Sequence, residues 1–545
     1  SADQSKALRG LGTGSDLLAQ SFLAPTTNTS LWDRRAAHLV LGGLTELDVM
    51  QGGAIVGAPE ASIMIGKLYN AGTIILHGGA IQQRNDLPDQ LNAGGLAVRD
   101  LADAFGGPVD AQGRFLESVS SAAVSSITNA ELVSKDGADR LIHFLGLVDQ
   151  GDGIVLANGS RTDLSGVALV NPRAQIIGGR QLQTGKVIDG GSIRLEAPRE
   201  LRRQIAAGSF STSLSGRTLV RADGAALDIG GASATFEMAG NLGSVVPWLE
   251  WSKAGTISAL AGGTLGSTPI NARGGAAQAE GGTLEWRDPT VGTRAGGSDY
   301  LNAGFVSGSG FDTLIARGSL TLDGDFDLAF RKALIVTSQD PLVRSNLYVA
   351  DAAVSIKATA GTDATLRGGY VRLANRIGFV PELAGDEGGA QVRLIAGAQG
   401  IDIAGGIGFD RSITAITLAT SGDMRLTGVD WGRAAGRPTY DGALVAAADI
   451  LIDARRTYAT TGTGNLQANL EGTLNEASGG LTQRPFDIAA LDDHKITFGN
   501  SYLDPRAPLP LSAGTHFRVL AREIVQNGYV AAPLGLLELG SSTSV

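Results

Sequence analysis

The feature that most restricts this chain is how often it has to turn. Ala521 to Ser541 reads AREIVQNGYVAAPLGLLELGS, with apolar runs at Ile524-Val525, Tyr529-Val530 and Leu536-Leu537-Glu538-Leu539. Asn527-Gly528 and Pro533-Leu534-Gly535 separate them, and both are turn formers. The rhythm recurs at Asn70 to Ile81 (NAGTIILHGGAI), Asp189 to Pro198, Ala316 to Phe330, Thr420 to Trp431 and Ala443 to Arg455. Each stretch reads as a strand of about four to six residues with apolar alternation. Long amphipathic helical patterns are missing. The chain therefore reads as all-β, and βαβ architectures are excluded.

Two all-β layouts compete. In hairpin arrays Asn527-Gly528 is a type I′ turn; in a parallel β-solenoid it is one corner of a coil. Composition favours the solenoid. The 78 glycines in 545 residues are about twice the ordinary share of ~7%, as corners with left-handed or closely approaching backbone require. Aromatics are only 5% against 43% hydrophobic residues, which suits a narrow bore filled by Leu, Ile, Val and Ala. The expectation is one solenoid over 1–545. At roughly 20 to 30 residues per coil it makes on the order of 20 coils, a rod roughly 100 Å long. Two stretches break the rhythm and read as extruded insertions: 84–150, with a short helix at Leu96 to Phe105, and 458–510, a Thr-, Asn-, Gly- and Pro-rich loop or hairpin.

Charge and cysteine narrow the partners. A net charge of −10 gives no general attraction for nucleic acid or anionic membranes. Arg202-Arg203 and Arg455-Arg456 read as solvated pairs. With no cysteine, thiol chemistry and zinc ribbons are excluded, and export as an unfolded chain meets no premature disulfide. No apolar run is long enough for a membrane-spanning helix. The start, SADQSKALRG, has neither a signal-type apolar stretch nor Met, and reads as a mature or interior piece of something longer.

Several segments resemble the filamentous haemagglutinin family, large exoproteins of Gram-negative bacteria secreted by the two-partner route. NAGTIILHGGAIQQ resembles its recurring Asn-x-Gly-x-Ile…Gly-Gly-x-Ile coil, and GIVLANGSRTDLSGVAL (Gly153 to Leu169) its Asp-Leu-Ser-Gly strands. SGFDTLIARGSLTLDGDFDLAF, TLRGGYVRLAN, RTYATTGTG and LSAGTHFRVLAREIVQNGYVAAPLGLLELG are similar to family signatures. The resemblance implies a right-handed parallel β-helix, an extracellular or cell-surface location, an outer-membrane two-partner transporter, and an adhesive or fibre-forming role. The Asn-Pro-Asn-Gly motifs of the family's secretion domain are absent, since Asn171-Pro172 continues as Arg-Ala. The likeness is to the shaft.

Motifs for chemistry are sparse. His38, His77, His143, His494 and His516 form no metal-type spacing and read as structural. Asp323, Asp325 and Asp327 alternate, which on one strand would put three carboxylates on one face. Calcium would relieve their repulsion, yet Leu328 and Leu334 stand where an EF-hand needs Gly and Glu, so an acidic solvent-facing ladder is the plainer reading. GSGFDTL is a single calcium-type nonapeptide with no repeat. Gly66-Lys67 and Gly185-Lys186 lack the phosphate-loop glycines, and no Gly-x-Ser-x-Gly elbow is found. Trp248 and Trp251 have a spacing that sends them to opposite faces of a strand. They read as packing against an insertion, with sugar stacking as the alternative. No residue is nominated as catalytic, metal-binding or cofactor-binding, and no cofactor is implied.

The expectation is thus a non-enzymatic shaft segment of a surface exoprotein, contacting host, neighbouring-cell or self surfaces. A polysaccharide-active β-helix enzyme (lyase or glycosidase) and a purely structural self-assembling fibre are the other two readings.

Overall fold

A computed structural model describes residues 46–83, 153–338, 354–460 and 486–540, except 172–175, 196–199, 206–207, 214–217, 295, 377–379, 381–382, 435–436, 505, 511, 513–515 and 534. The fold is an all-β parallel solenoid whose chain visits three faces in a fixed order. In the first coils these are Glu46–Val49, Ala54–Val56 and Ser62–Ile65, then Lys67–Asn70, Thr73–Ile75 and Ala80–Gln83. Each strand pairs in parallel with its counterpart one coil on: Leu47 with Leu68, Ile55 with Ile74, Ile63 with Ile81.

Ala521 to Ser541 supplies one such coil. Glu523–Gln526 lies on the second face against Lys495–Phe498, Val530–Ala531 on the third against Thr457 and Tyr458, and Leu536–Gly540 on the first against His516–Leu520. Asn527-Gly528 is the corner between the first two of these strands. A Cβ on Gly528 would overlap Gly499 O, so close backbone approach keeps glycine there.

The third face is one unbroken column. It starts at Ser62–Ile65 and ends at Val530–Ala531, and eleven successive parallel pairings join twelve rungs. At a strand spacing of about 4.8 Å that is roughly 50 Å of rod, half the length expected from the sequence. The reason is chain spent sideways. Leu68 pairs directly with Ile154 and Ile81 with Ile193, so 86 and 112 residues of chain each climb only one rung. The first face breaks only where Tyr300–Asn302 steps back beside Thr290–Gly292, and Asp299 N–H donates to Gly263 O (2.7 Å) to close that step.

Alternation fills the bore. Ile63, Ile81, Ile193, Ile257, Leu284, Leu314, Leu334, Val371, Ile401, Met424 and Thr457 follow one another up the third face, all buried. At about 25 cal/mol per Å² of apolar area this continuous burial is the main stabilising term. One α-helix occurs among the described residues, Ala303–Ser309, capped by Asn302 Oδ1 accepting from Phe305 N–H and ended by Gly310 at φ +86°. It takes the second-face position of its coil, where Ala272 N–H donates to Ser309 O (2.8 Å).

The excursions leave at two corners. The segment 84–150, with the short helix expected at Leu96 to Phe105, lies outside the described residues, but the flanking strands leave and re-enter the stack at the third-to-first corner. Hairpin Glu200–Ile205/Gly208–Ser213 and the antiparallel pairing of Val429–Ala434 with Arg437–Ala446 leave from that corner too. Of 458–510, residues 461–485 lie outside the described set and again begin and end there. Phe486–Ala490 and Lys495–Phe498, within the same range, are rungs of the stack. Two other hairpins leave at the second-to-third corner, and they form the outgrowth described next.

Candidate interaction surface

Strands Ser233–Ala239 and Val245–Trp251 pair antiparallel, Phe236 opposite Trp248 and Met238 opposite Val246. A 3-10 turn, Asn241–Gly243, joins them. This fin rests on a neighbouring hairpin, Val167–Val170 with Gly185–Ile188. Phe236 is buried over Gly185, where a Cβ would strike its ring. Glu237 N–H donates to Gln183 O (2.8 Å), Gln183 N–H returns to Glu237 Oε2 (2.9 Å), and Arg180 pairs with the same carboxylate. The outer strand is tied to the same hairpin, since Glu250 Oε1 accepts from Val187 N–H (3.5 Å).

Apolar side chains are exposed on both faces of the fin. Trp248 is 51% and Trp251 40% exposed, and Met238, Val246 and Leu249 are exposed with them. Both tryptophans were expected to pack against an insertion, and neither is buried. Their opposite-face placement does hold: Trp248 shares a face with Phe236, Trp251 with Leu249. Several exposed large apolar side chains on one hairpin, Trp and Met among them, mark an interaction site rather than ordinary surface. The signal in the sequence was the pair SATFEMA and VVPWLEW around GNLGS, two β-rich runs about a turn.

The strand Val245–Trp251 also has an unpaired edge. Ser252 N–H donates to Ala232 O (2.9 Å) and Gly240 N–H to Ser244 O (2.8 Å). That parity turns the backbone groups of Val246, Trp248 and Glu250 into the hairpin. It turns those of Val245, Pro247, Leu249 and Trp251 outward, where no strand pairs with them among the described residues.

No protein-family model, curated protein or solved structure matches this chain. What it can do is therefore argued from its own side chains.

The three aspartates do not form a ladder on one strand. Leu320–Asp323 ends on the first face and Phe326–Thr337 begins the second, with Gly324 at φ +90° between them. Asp323 accepts from Thr359 Oγ1 (2.6 Å) and Arg294 (3.2 Å), Asp325 from Asp363 N–H (3.0 Å), and Asp327 is held in a fork by Arg367 (2.8–3.1 Å). Cations of the protein occupy the role considered for calcium, and no cluster of metal-ligating groups occurs among the described residues.

A second network runs up the third face. Tyr370 donates to Asp402 (2.5 Å), which Arg425 also holds. Arg455 and Arg456 converge on Asp423 rather than standing as a solvated pair, and Arg456 stacks over the Tyr458 ring at 5.8 Å. Burial pushes Tyr370 up, as does its hydrogen bond to Asp402. Burial alone would raise Asp423, but the hydrogen bonds from Arg456 and Arg455 outweigh it and hold the carboxyl below its usual range. Carboxylates tied this way stay anionic and are poor proton donors, whereas glycosidic catalysis needs one raised acid beside a second carboxylate. Among the described residues one carboxyl is raised: burial lifts Asp410, which sits at the end of Gly406–Phe409 with Lys357 as its nearby charge.

Three histidines lie among the described residues, and each faces an acid: His77 Asp163, His494 Asp449, His516 Glu538. His77 also meets Ser165, an assembly sequence spacing did not reveal. Ser165 Oγ donates to Asp163 Oδ1 (2.7 Å) and lies 3.3 Å from His77 Nδ1, which is 3.7 Å from the same carboxylate oxygen. In a nucleophilic triad the imidazole stands between hydroxyl and acid, using both nitrogens. Here one nitrogen faces both partners and the hydroxyl proton goes to the aspartate, so the trio fastens a corner. No helix among the described residues is long and apolar enough to cross a membrane.

Proposed function

We propose that this chain is a shaft segment of an extracellular, non-enzymatic adhesin or fibre protein, in which a rigid stack carries laterally projected contact surfaces. The observation that carries the reading is the unbroken third-face column from Ser62–Ile65 to Val530–Ala531, built around one apolar bore, with hairpins projected from two corners. Such a stack gains stability by nearest-neighbour addition, so height is cheap and side loops are tolerated. The resemblance of its coils to two-partner exoproteins supports export through an outer-membrane transporter and display at the cell surface. The exposed fin supports contact with another macromolecule.

Electron microscopy of the native, untruncated protein tests this. A thin rod longer than the ~50 Å stack, standing on cells, is the expected result. A compact particle that releases reducing ends or unsaturated products from a uronate polymer would replace the reading with a polysaccharide-active enzyme.

A further inference from the structure

We propose that the fin joins two copies of this chain side by side. In this dimer the outward edges of Val245–Trp251 pair antiparallel about a two-fold axis at Trp248, fusing two hairpins into one four-stranded sheet. The inference goes beyond the adhesive reading, because it concerns what the fin binds whatever the rod adheres to.

An unpaired strand edge is a template for another strand, and here the side chains select the register. With the axis at Trp248, Val245 faces Trp251 of the second copy, Pro247 faces Leu249, and Trp248 faces Trp248. Every exposed apolar side chain of the strand except Val246 then meets another apolar one, and Val246 meets Glu250. The outward N–H groups of Val245, Leu249 and Trp251 all find carbonyl acceptors. Pro247, which has no N–H, leaves only the Leu249 carbonyl without a donor.

Neighbouring registers are worse. An axis at Glu250 sets two carboxylates directly opposite, which is destabilising. One at Leu249 places Trp248 against Glu250. One at Pro247 faces proline with proline, so the central pair has no donor. The same self-complementarity argues for a second copy over an unrelated peptide, since an isologous interface needs a surface that matches itself.

The chain has no cysteine, so single cysteines can report the register. In the proposed dimer position 246 of one copy lies opposite position 250 of the other, within disulfide reach. Mixing Val246→Cys with Glu250→Cys protein should give a disulfide-linked dimer, and neither variant alone should. Sedimentation of the native protein should show a concentration-dependent dimer. Leu249→Pro should weaken it by about tenfold or more, because the Leu249 N–H is used only across the interface. If that variant misfolds, Leu249→Lys, a charge on the edge, serves instead. A native protein that stays monomeric at all accessible concentrations would overturn the proposal. So would a dimer insensitive to both Leu249 variants, or cross-linking no greater in the mixture than in either variant alone.

Discussion

The amino-terminal coils, residues 46–292, and the carboxy-terminal coils, 311–540, build the same solenoid corner in different ways. In the first region the second-to-third corner separates short strands and is lined by glycine. Ser192, Thr256 and Thr283 N–H donate to Gly79, Gly191 and Gly255 O (2.9–3.1 Å), and a Cβ on Gly191 or Gly255 would overlap the carbonyl of the rung before. In the second region Phe326–Thr337, Asp363–Ala374, Ile413–Thr427 and Asp449–Ala459 run round that corner without ending. The turn is taken by register shifts, at Phe330/Ala333 and at Thr420/Asp423. Charged pairs then bridge the rungs: Asp327–Arg367, Asp363–Arg393, Asp402–Arg425, Asp423–Arg456 and Asp487–Arg518. Both regions keep glycine where backbones approach, as Gly422 against Ala398 O and Gly528 against Gly499 O show in the second, but the second adds side chains reaching between coils. The second thus reinforces close approach with charge.

The largest expected effect follows from that crowding. Gly255→Ala should cost about 3 kcal/mol, the upper end of overpacking, because the obstacle is backbone rather than a yielding side chain. Gly159→Ala is the control. Gly159 has φ +78° with nothing within 4 Å of a Cβ, so only the left-handed penalty of about 1–2 kcal/mol applies. Urea unfolding of both variants measures the gap. Equal losses would mean that backbone approach is not what sets the amino-terminal corner.

The same contrast explains how much was legible beforehand. Alternation and turn residues are local, so strands such as Leu536–Gly540 and the corner at Asn527-Gly528 could be read directly. Register is not local. Arg294 and Arg367 neutralise Asp323 and Asp327 from neighbouring coils, and coil length varies with each excursion, so no spacing announces those pairs. Gly324 hid the corner inside an alternating LDGDFDL. At the fin, VVPWLEW was read for its two tryptophans, but which backbone groups face outward depends on the Ser252–Ala232 bond beyond its end.

The second test addresses the carboxy-terminal region. The Asp423 and Arg456 side chains are each only 9% exposed. Arg456→Met should cost about 2 kcal/mol, less than the ~3–5 of breaking a lone buried pair, because Arg455 remains. Asp423 also sets a pH response. Its folded-state pKa is depressed, so its contribution is complete above the unfolded aspartate value of about 3.9 and is lost as pH falls through the lower folded value. Asp423→Asn should lower stability at neutral pH and flatten the loss on acidification in the carboxy-terminal rungs, read by amide hydrogen exchange. An unchanged acid limb would remove Asp423 from the account of that region.

The smallest effect should come from Arg367→Ala, and its smallness sharpens the contrast. Arg367 grips Asp327 through two nitrogens, and that hydrogen bond is the main reason the carboxyl lies below its usual range. Yet both side chains are about half exposed, so solvent screens the attraction and the loss should be roughly 0.5 kcal/mol or less, fading further in high salt. Asp423 and Asp327 carry the same kind of partner on neighbouring parts of one stack, and they differ in burial and in the second arginine at Asp423. If Arg367→Ala costs as much as Arg456→Met in urea unfolding, and salt leaves the loss unchanged, then the ladder acts as one cooperative network. Its outer pairs would then be as necessary to the carboxy-terminal coils as the glycine column is to the amino-terminal ones.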